Sequence, residues 1–210
     1  FTYDSVAYVG FPDTLQRLID STATSAQVQR GLPFSVSSLE NERSRISTLL
    51  RNNGYYYYSP GYTTYLADTF NTQNRVQLRI QLADELPAEA LRKWYIGNMD
   101  ISFRRSMREQ ADTTVGRRYL KVMFNGKHAP IRPGVVLRNM KLRPRSLFSY
   151  DNYLESMQKV NATGVFSSVD FLFTPRLSPN PQPLPLNAPS DTLDLTLNCV
   201  FDQPYDFYVE

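Results

Sequence analysis

The chain has 210 residues, of which 41% are hydrophobic, and a net charge of +3 at neutral pH, enough for one ordinary domain or two small ones. With His128 its single histidine and Cys199 its single cysteine, it can assemble no internal disulfide, zinc cluster or catalytic triad. No run of 18 or more apolar residues occurs, and the opening FTYDSVAYVG lacks the basic start and apolar core of a signal peptide, so neither a spanning helix nor a cleavable leader is predicted.

In chain order, residues 5–11 read as a short strand ended by Gly10 and Pro12. Asp13 is then placed to cap a helix with Leu15, Leu18 and Ile19 on one face, and the polar residues 21–27 end it. Residues 34–58, FSVSSLENERSRISTLLRNNGYYYY, read as a complete helix. Ser37 caps it with Glu40 closing a capping box, Leu39, Ile46, Leu49 and Leu50 share a face, and Gly54 stops it. Tyr55 and the three tyrosines after it open an aromatic strand towards Asp68, bent at Ser59-Pro60-Gly61. Residues 74–82 are a last strand in which Val76, Leu78, Ile80 and Leu82 alternate with polar residues. The order is β-α-α-β-β, two helices covering one face of a three-stranded sheet.

Residues 84–89, with Pro87, mark a boundary, giving a first module to residue 86 and a second over 87–202. The second opens on residues 94–103, where Met99, Ile101 and Phe103 alternate, and a basic segment then leads to RYLKVMF before Asn125-Gly126 turns the chain. This reads as a β-arm inserted after the first strand. Val135, Val136 and Met140 fall in a short helix. Residues 148–173, FSYDNYLESMQKVNATGVFSSVDFLF, then repeat the helix-glycine-strand corner one helical turn shorter, with Tyr153, Leu154, Met157 and Val160 as the apolar positions and Gly164 as the stop. Leu193, Leu195, Leu197 and Cys199 echo the last strand of the first module. The fold class is therefore α+β: two tandem β-α-α-β-β modules, each a three-stranded mixed sheet with two helices on one face, the second carrying an inserted β-arm. Between the last two strands, LSPNPQPLPLNAPSD reads as an extended hairpin excursion. Residues 203–210, QPYDFYVE, alternate again after a proline and read as a linker and the start of a following domain.

Chemistry is sparse. His128 lies in a turn and Cys199 on a buried parity, no phosphate-binding glycine pattern occurs, and Glu40 and Glu42 read as solvated helix charges, so the chain is not predicted to be an enzyme or to hold a metal or cofactor. Charge is concentrated between Arg92 and Arg145, where 14 Lys and Arg face only Asp100, Glu109 and Asp112. That block is either a solvated hairpin and helix face or a contact for anionic lipid or a partner. Open sheet edges are the remaining binding surface, since their unpaired backbone groups accept an extended peptide as an added strand. The tyrosines offer tolerant side contacts or pack under the helices.

The order β-α-α-β-β around VQRGLPFSVSSLENERSRISTLLRNNGYYYY resembles the POTRA (polypeptide-transport-associated) domain of the BamA/TamA outer-membrane assembly family, with Gly31, Gly54 and Tyr55 at its glycine and glycine-aromatic positions. Gly164, Val165 and Phe166 match the later part in the second module, where Arg145 stands in place of Gly31. The resemblance implies a periplasmic array on the inner side of the outer membrane, leading into a β-barrel that residues 203–210 would begin. It implies unfolded outer-membrane protein clients and periplasmic or lipoprotein partner subunits. It also places the second strand of each module at a sheet edge, so that Tyr55, Tyr57, Tyr62, Thr64 and Tyr65 in one module, and Phe166, Val169 and Phe171 in the other, are the candidate polypeptide contacts. With the basic module nearest the membrane, Arg104, Arg105, Arg108, Arg117 and Arg118 are candidate contacts to anionic lipid at the outer-membrane surface. Small α+β sheets with aromatic and basic surroundings also bind single-stranded nucleic acid by stacking. No RNP-like aromatic motif is present, and nucleic acid is not expected as a specific ligand.

Overall fold

The computed structural model describes residues 1–69, 74–176 and 191–202, without the side chain of Arg117. The Pro-rich excursion over 177–190 and the expected linker over 203–210 lie outside the described residues. Two compact units divide between Arg92 and Lys93. The first contains strand β1 (Thr2–Val9), helices α1 (Asp13–Ser21) and α2 (Val36–Asn52), and strands β2 (Thr63–Asp68) and β3 (Arg75–Leu82). Its sheet runs β1-β3-β2, with β1 parallel and β2 antiparallel to β3. Leu15 and Ile19 of α1 and Ile46 and Leu50 of α2 share one buried cluster with Tyr3, Leu78 and Ile80, which places both helices on the same sheet face.

The second unit contains β4 (Trp94–Arg104), β5 (Thr113–Arg117), β6 (Leu120–Phe124), the one-turn α3 (Gly134–Leu137), α4 (Tyr150–Asn161), β7 (Phe166–Pro175) and β8 (Asp191–Phe201). Its five strands run β5-β6-β4-β8-β7. The β4-β8-β7 portion has the order and directions of β1-β3-β2, and the inserted hairpin β5-β6 lies against the outer side of β4, with β6 parallel to it. The arm is thus an extension of the sheet. No helix among the described residues is long and apolar enough to cross a membrane.

The repeat extends to single hydrogen bonds. In the first unit the N–H of Gly31 donates to Tyr3 O (2.8 Å), that of Tyr3 to Leu32 O (3.0 Å), and that of Phe34 to Phe1 O (3.0 Å). In the second, Arg145 donates to Ile96 O (2.7 Å), Ile96 to Ser146 O (2.8 Å) and Phe148 to Trp94 O (2.9 Å). Arg145 takes φ +68° where Gly31 takes +85°, so the departure in sequence leaves the loop geometry unchanged. Each first strand also carries a one-residue bulge at the same place, between Tyr3 and Ser5 and between Ile96 and Met99.

Several local expectations are corrected. The cap of α2 is Ser35, whose Oγ accepts the Ser38 N–H at 3.1 Å; Ser37 lies inside the first turn and Glu40 pairs with Arg43 instead. Ser149 caps α4 in the same way. Asp13 is the first residue of α1, and Pro12 O accepts from Leu15 and Gln16. The first strand begins at Thr2 rather than residue 5. Met140 is buried beyond α3, and only Val135 and Val136 of the expected trio lie within it.

The tyrosine run is not a strand. Gly54 at φ +96° turns the chain so that Tyr55 N–H returns to Leu50 O at 3.1 Å, a helix-terminating closure. The rings of Tyr55 and Tyr58 then enter the core, Pro60 starts a single 3-10 turn, and the ladder begins only at Thr63.

Candidate sheet-edge binding sites

Strand β2 is one edge of the first sheet and β7 one edge of the second. In an antiparallel ladder only alternate residues bond the neighbour; the others turn N–H and C=O to the open side. Ala83 N–H donates to Tyr62 O at 2.9 Å in the register that pairs Thr64 with Gln81 and Leu66 with Arg79. Thr64 and Leu66 therefore bond inward, while Thr63, Tyr65 and Ala67 present their backbone to the open edge. For β7, Arg176 N–H donates to Thr192 O at 2.8 Å. The same register sends Ser168, Asp170 and Leu172 inward, and turns Val169, Phe171 and Phe173 outward. Pro175 shares the outward parity, so its missing N–H leaves the ladder intact.

Of the residues expected on the first edge, Tyr65 alone lies in β2 with an outward backbone. Tyr55 is buried and Tyr57 precedes the strand, Tyr62 belongs to the 3-10 turn, and Thr64 faces β3. Tyr65 is tied down by its side chain, since the hydroxyl donates to Leu39 O at 2.6 Å and the Arg43 guanidinium lies 5.2 Å from the ring centre. Burial pushes that hydroxyl up to about 12. On β7, Phe166, Val169 and Phe171 all lie in the edge strand; Phe166 and Val169 are buried and Phe171 half-buried against Tyr153 of α4.

The five arginines do not form one patch. Arg104 ends β4 with its Nε donating to Ser102 Oγ at 3.0 Å, and Arg105 and Arg108 are exposed in the loop that follows. Glu109 sits among them. Its carboxylate accepts the Arg105 N–H and the Asn125 amide, and these bonds hold it below the usual carboxylate range. Arg117 ends β5 and Arg118 follows at φ +49° in the turn at the other end of the hairpin. Five strand residues separate the two groups by about 15 Å.

Two polar clusters escaped the sequence reading. Glu42 is fully buried on α2: its oxygens accept from the Tyr8 hydroxyl (2.7 Å), Gln27 N–H (2.7 Å) and both arms of the Arg45 guanidinium (2.6 and 3.0 Å). Arg45 also donates to Thr22 Oγ1 at 2.7 Å. The carboxylate thus joins β1, α2 and the loop after α1. The signal was its spacing, since Glu42 falls three residues after Leu39 and four before Ile46, on the apolar face. The second cluster borders the β4 bulge. There Asn98 N–H donates to Asp194 Oδ1 at 2.7 Å, Arg176 pairs with both oxygens of Asp194, and Arg145 stacks on Tyr119 at 4.6 Å while donating to its hydroxyl. A Cβ at Gly97 would collide with Asp194 and Thr192.

No protein-family model matches the chain, and no curated protein matches it in sequence. Among solved structures it is similar to POTRA domains 3–5 of BamA from Haemophilus influenzae, with a TM-score of 0.51 and 11% identity over 95% of this chain and 61% of that one. It is also similar to BamA from Haemophilus ducreyi lacking POTRA domains 1–3, with a TM-score of 0.57 and 15% identity over 96% of this chain and 30% of that one. The chain spans about three fifths of the first and under a third of the second. Its fold is that of tandem POTRA domains.

Proposed function

We propose that this chain is a pair of periplasmic polypeptide-binding and scaffolding modules of an outer-membrane β-barrel protein that assembles or translocates outer-membrane proteins, and that it holds clients by β-augmentation. The observation that supports this reading is the tandem POTRA fold in which β2 and β7 are sheet edges among the described residues. An extended chain added to such an edge is held by backbone hydrogen bonds, which depend weakly on side-chain identity and suit many unfolded clients. The carriers are the outward backbone groups of Thr63, Tyr65 and Ala67 and of Val169, Phe171 and Phe173. The partners are unfolded outer-membrane proteins and periplasmic or lipoprotein subunits.

The test is capture of a urea-denatured, dye-labelled β-barrel outer-membrane protein on dilution into buffer, read by fluorescence anisotropy. Saturable capture that persists in high salt is the expected result. Absence of capture, or capture that disappears as salt rises, overturns the reading in favour of simple charge attraction.

A further inference from the structure

The two modules differ at one edge. In the second, the outer side of β4 is occupied by the chain's own β6, in register from Met99 opposite Leu120 to Ser102 opposite Met123, with Met99 N–H donating to Tyr119 O at 2.7 Å. The equivalent edge of the first module is β1. Its lower end is covered as β4's is, by the loop carrying Gly31 and Leu32. Beyond the shared bulge, Val6 pairs with Leu78 as Met99 pairs with Leu195, so Val6 to Val9 correspond to Met99 to Ser102. There the likeness ends, because among the described residues β1 has β3 as its only strand neighbour.

The direction of the free groups follows from the ladders. Gln77, Arg79 and Gln81 of β3 bond β2, which leaves Val76, Leu78 and Ile80 to bond β1. In the parallel register Ser5, Ala7 and Val9 bond to β3, and Val6 and Tyr8 turn N–H and C=O outward. None of the described backbone hydrogen bonds outside the ladders reaches those groups. The segment SVAYV carries no charge or proline to discourage a visiting strand, unlike β2 with Asp68 and β7 with Asp170 and Pro175. Exposed Leu32 and Val9 flank it.

We propose that the β1 edge over Val6–Val9 receives an extended segment of an unfolded client, running parallel to β1 in the position that β6 fills in the second module. The occupant has apolar residues at every second position, as β6 does with Leu120, Val122 and Phe124. That alternation is the pattern of a membrane β-barrel strand. The inserted hairpin has closed this site in one module and left it open in the other. The inference rests on the reading of the chain as a polypeptide-binding module and names a third edge for it.

The probe is a synthetic peptide with the sequence of residues 118–125, titrated into the full chain and followed by amide hydrogen exchange and NMR. Slowed exchange at the Val6 and Tyr8 amides is expected, whether or not Thr63, Tyr65 and Ala67 are protected as well. A nitroxide on the peptide's N-terminus should broaden Ser5 and Val6 more than Val9. Val6→Pro removes an outward donor and should weaken binding about tenfold. The exchange measurement needs no variant, so the test survives if Val6→Pro fails to fold. Protection at β2 or β7 with none at β1, or broadening at Val9 alone, overturns this inference while leaving the proposed function standing. No protection at any edge, by this peptide or by an unfolded barrel protein, overturns both.

Discussion

Glu42 shows how much one buried side chain organises. A carboxylate taken out of water is tolerated only when its oxygens are filled, and here a tyrosine, a backbone amide and a guanidinium fill them. Replacing it by Gln puts a donor where donors already converge and leaves Arg45 without its charge partner. We expect Glu42→Gln to destabilise the chain by about 2–3 kcal/mol in urea unfolding; a midpoint unchanged from the parent would show the network to be dispensable. Burial also sets the alkaline limit. It pushes the Cys199 thiol up to about 12, helped by the charge of Asp170, and the Tyr58 hydroxyl to about 12. The unfolded chain releases these protons first, from ordinary values of 9.0 and 10.0. Their contribution to stability is therefore complete below about pH 9 and is lost as pH rises towards 12. Urea midpoints should fall steadily above about pH 9, and a maleimide should label Cys199 at about pH 8 only once the chain is unfolded.

At the scale of elements, parity decides what an edge can do. Thr64 and Ala67 are three residues apart on β2, yet proline at Thr64 removes a bond to Gln81 while proline at Ala67 removes only an outward donor. Thr64→Pro should lower the unfolding midpoint, and Ala67→Pro should keep it while weakening client capture at that edge; circular dichroism with the anisotropy assay separates them. Parity explains what was legible in the sequence. Alternation in β3 and β8, and the glycine stops at Gly54 and Gly164, are local rules and are observed. The tyrosine run misled because aromatic residues favour strands and cores alike, and the closure after Gly54 delivers Tyr55 and Tyr58 to the core. Glu42 misled because charge normally marks the wet face of a helix, whereas spacing put it on the dry one. The inward direction of Thr64 depends on its register against β3, and register is a property of two strands, so no reading of one could supply it.

Across the whole molecule, the strongest composition signal is the basic block, and the structure alters what it is able to do. Had Arg104, Arg105, Arg108, Arg117 and Arg118 converged, they would act on an anionic surface as one charge cluster. They fall instead at opposite ends of the β5-β6 hairpin, about 15 Å apart, beyond the Debye length of about 8–10 Å at physiological salt. Each basic residue near an anionic membrane is worth about 1 kcal/mol, so Arg104, Arg105 and Arg108 form the stronger group even after Glu109 offsets part of their charge. Attraction of that size orients a module without anchoring it. We expect the chain to co-sediment weakly with vesicles containing anionic lipid at low salt and not with neutral ones. Replacing Arg104, Arg105 and Arg108 by Gln should abolish this, and Arg118→Gln should change it little. Equal loss from Arg118→Gln alone would mean that the far end of the hairpin faces the membrane. Negligible sedimentation with both vesicle types would leave the block as a solvated face that keeps the extended sheet soluble.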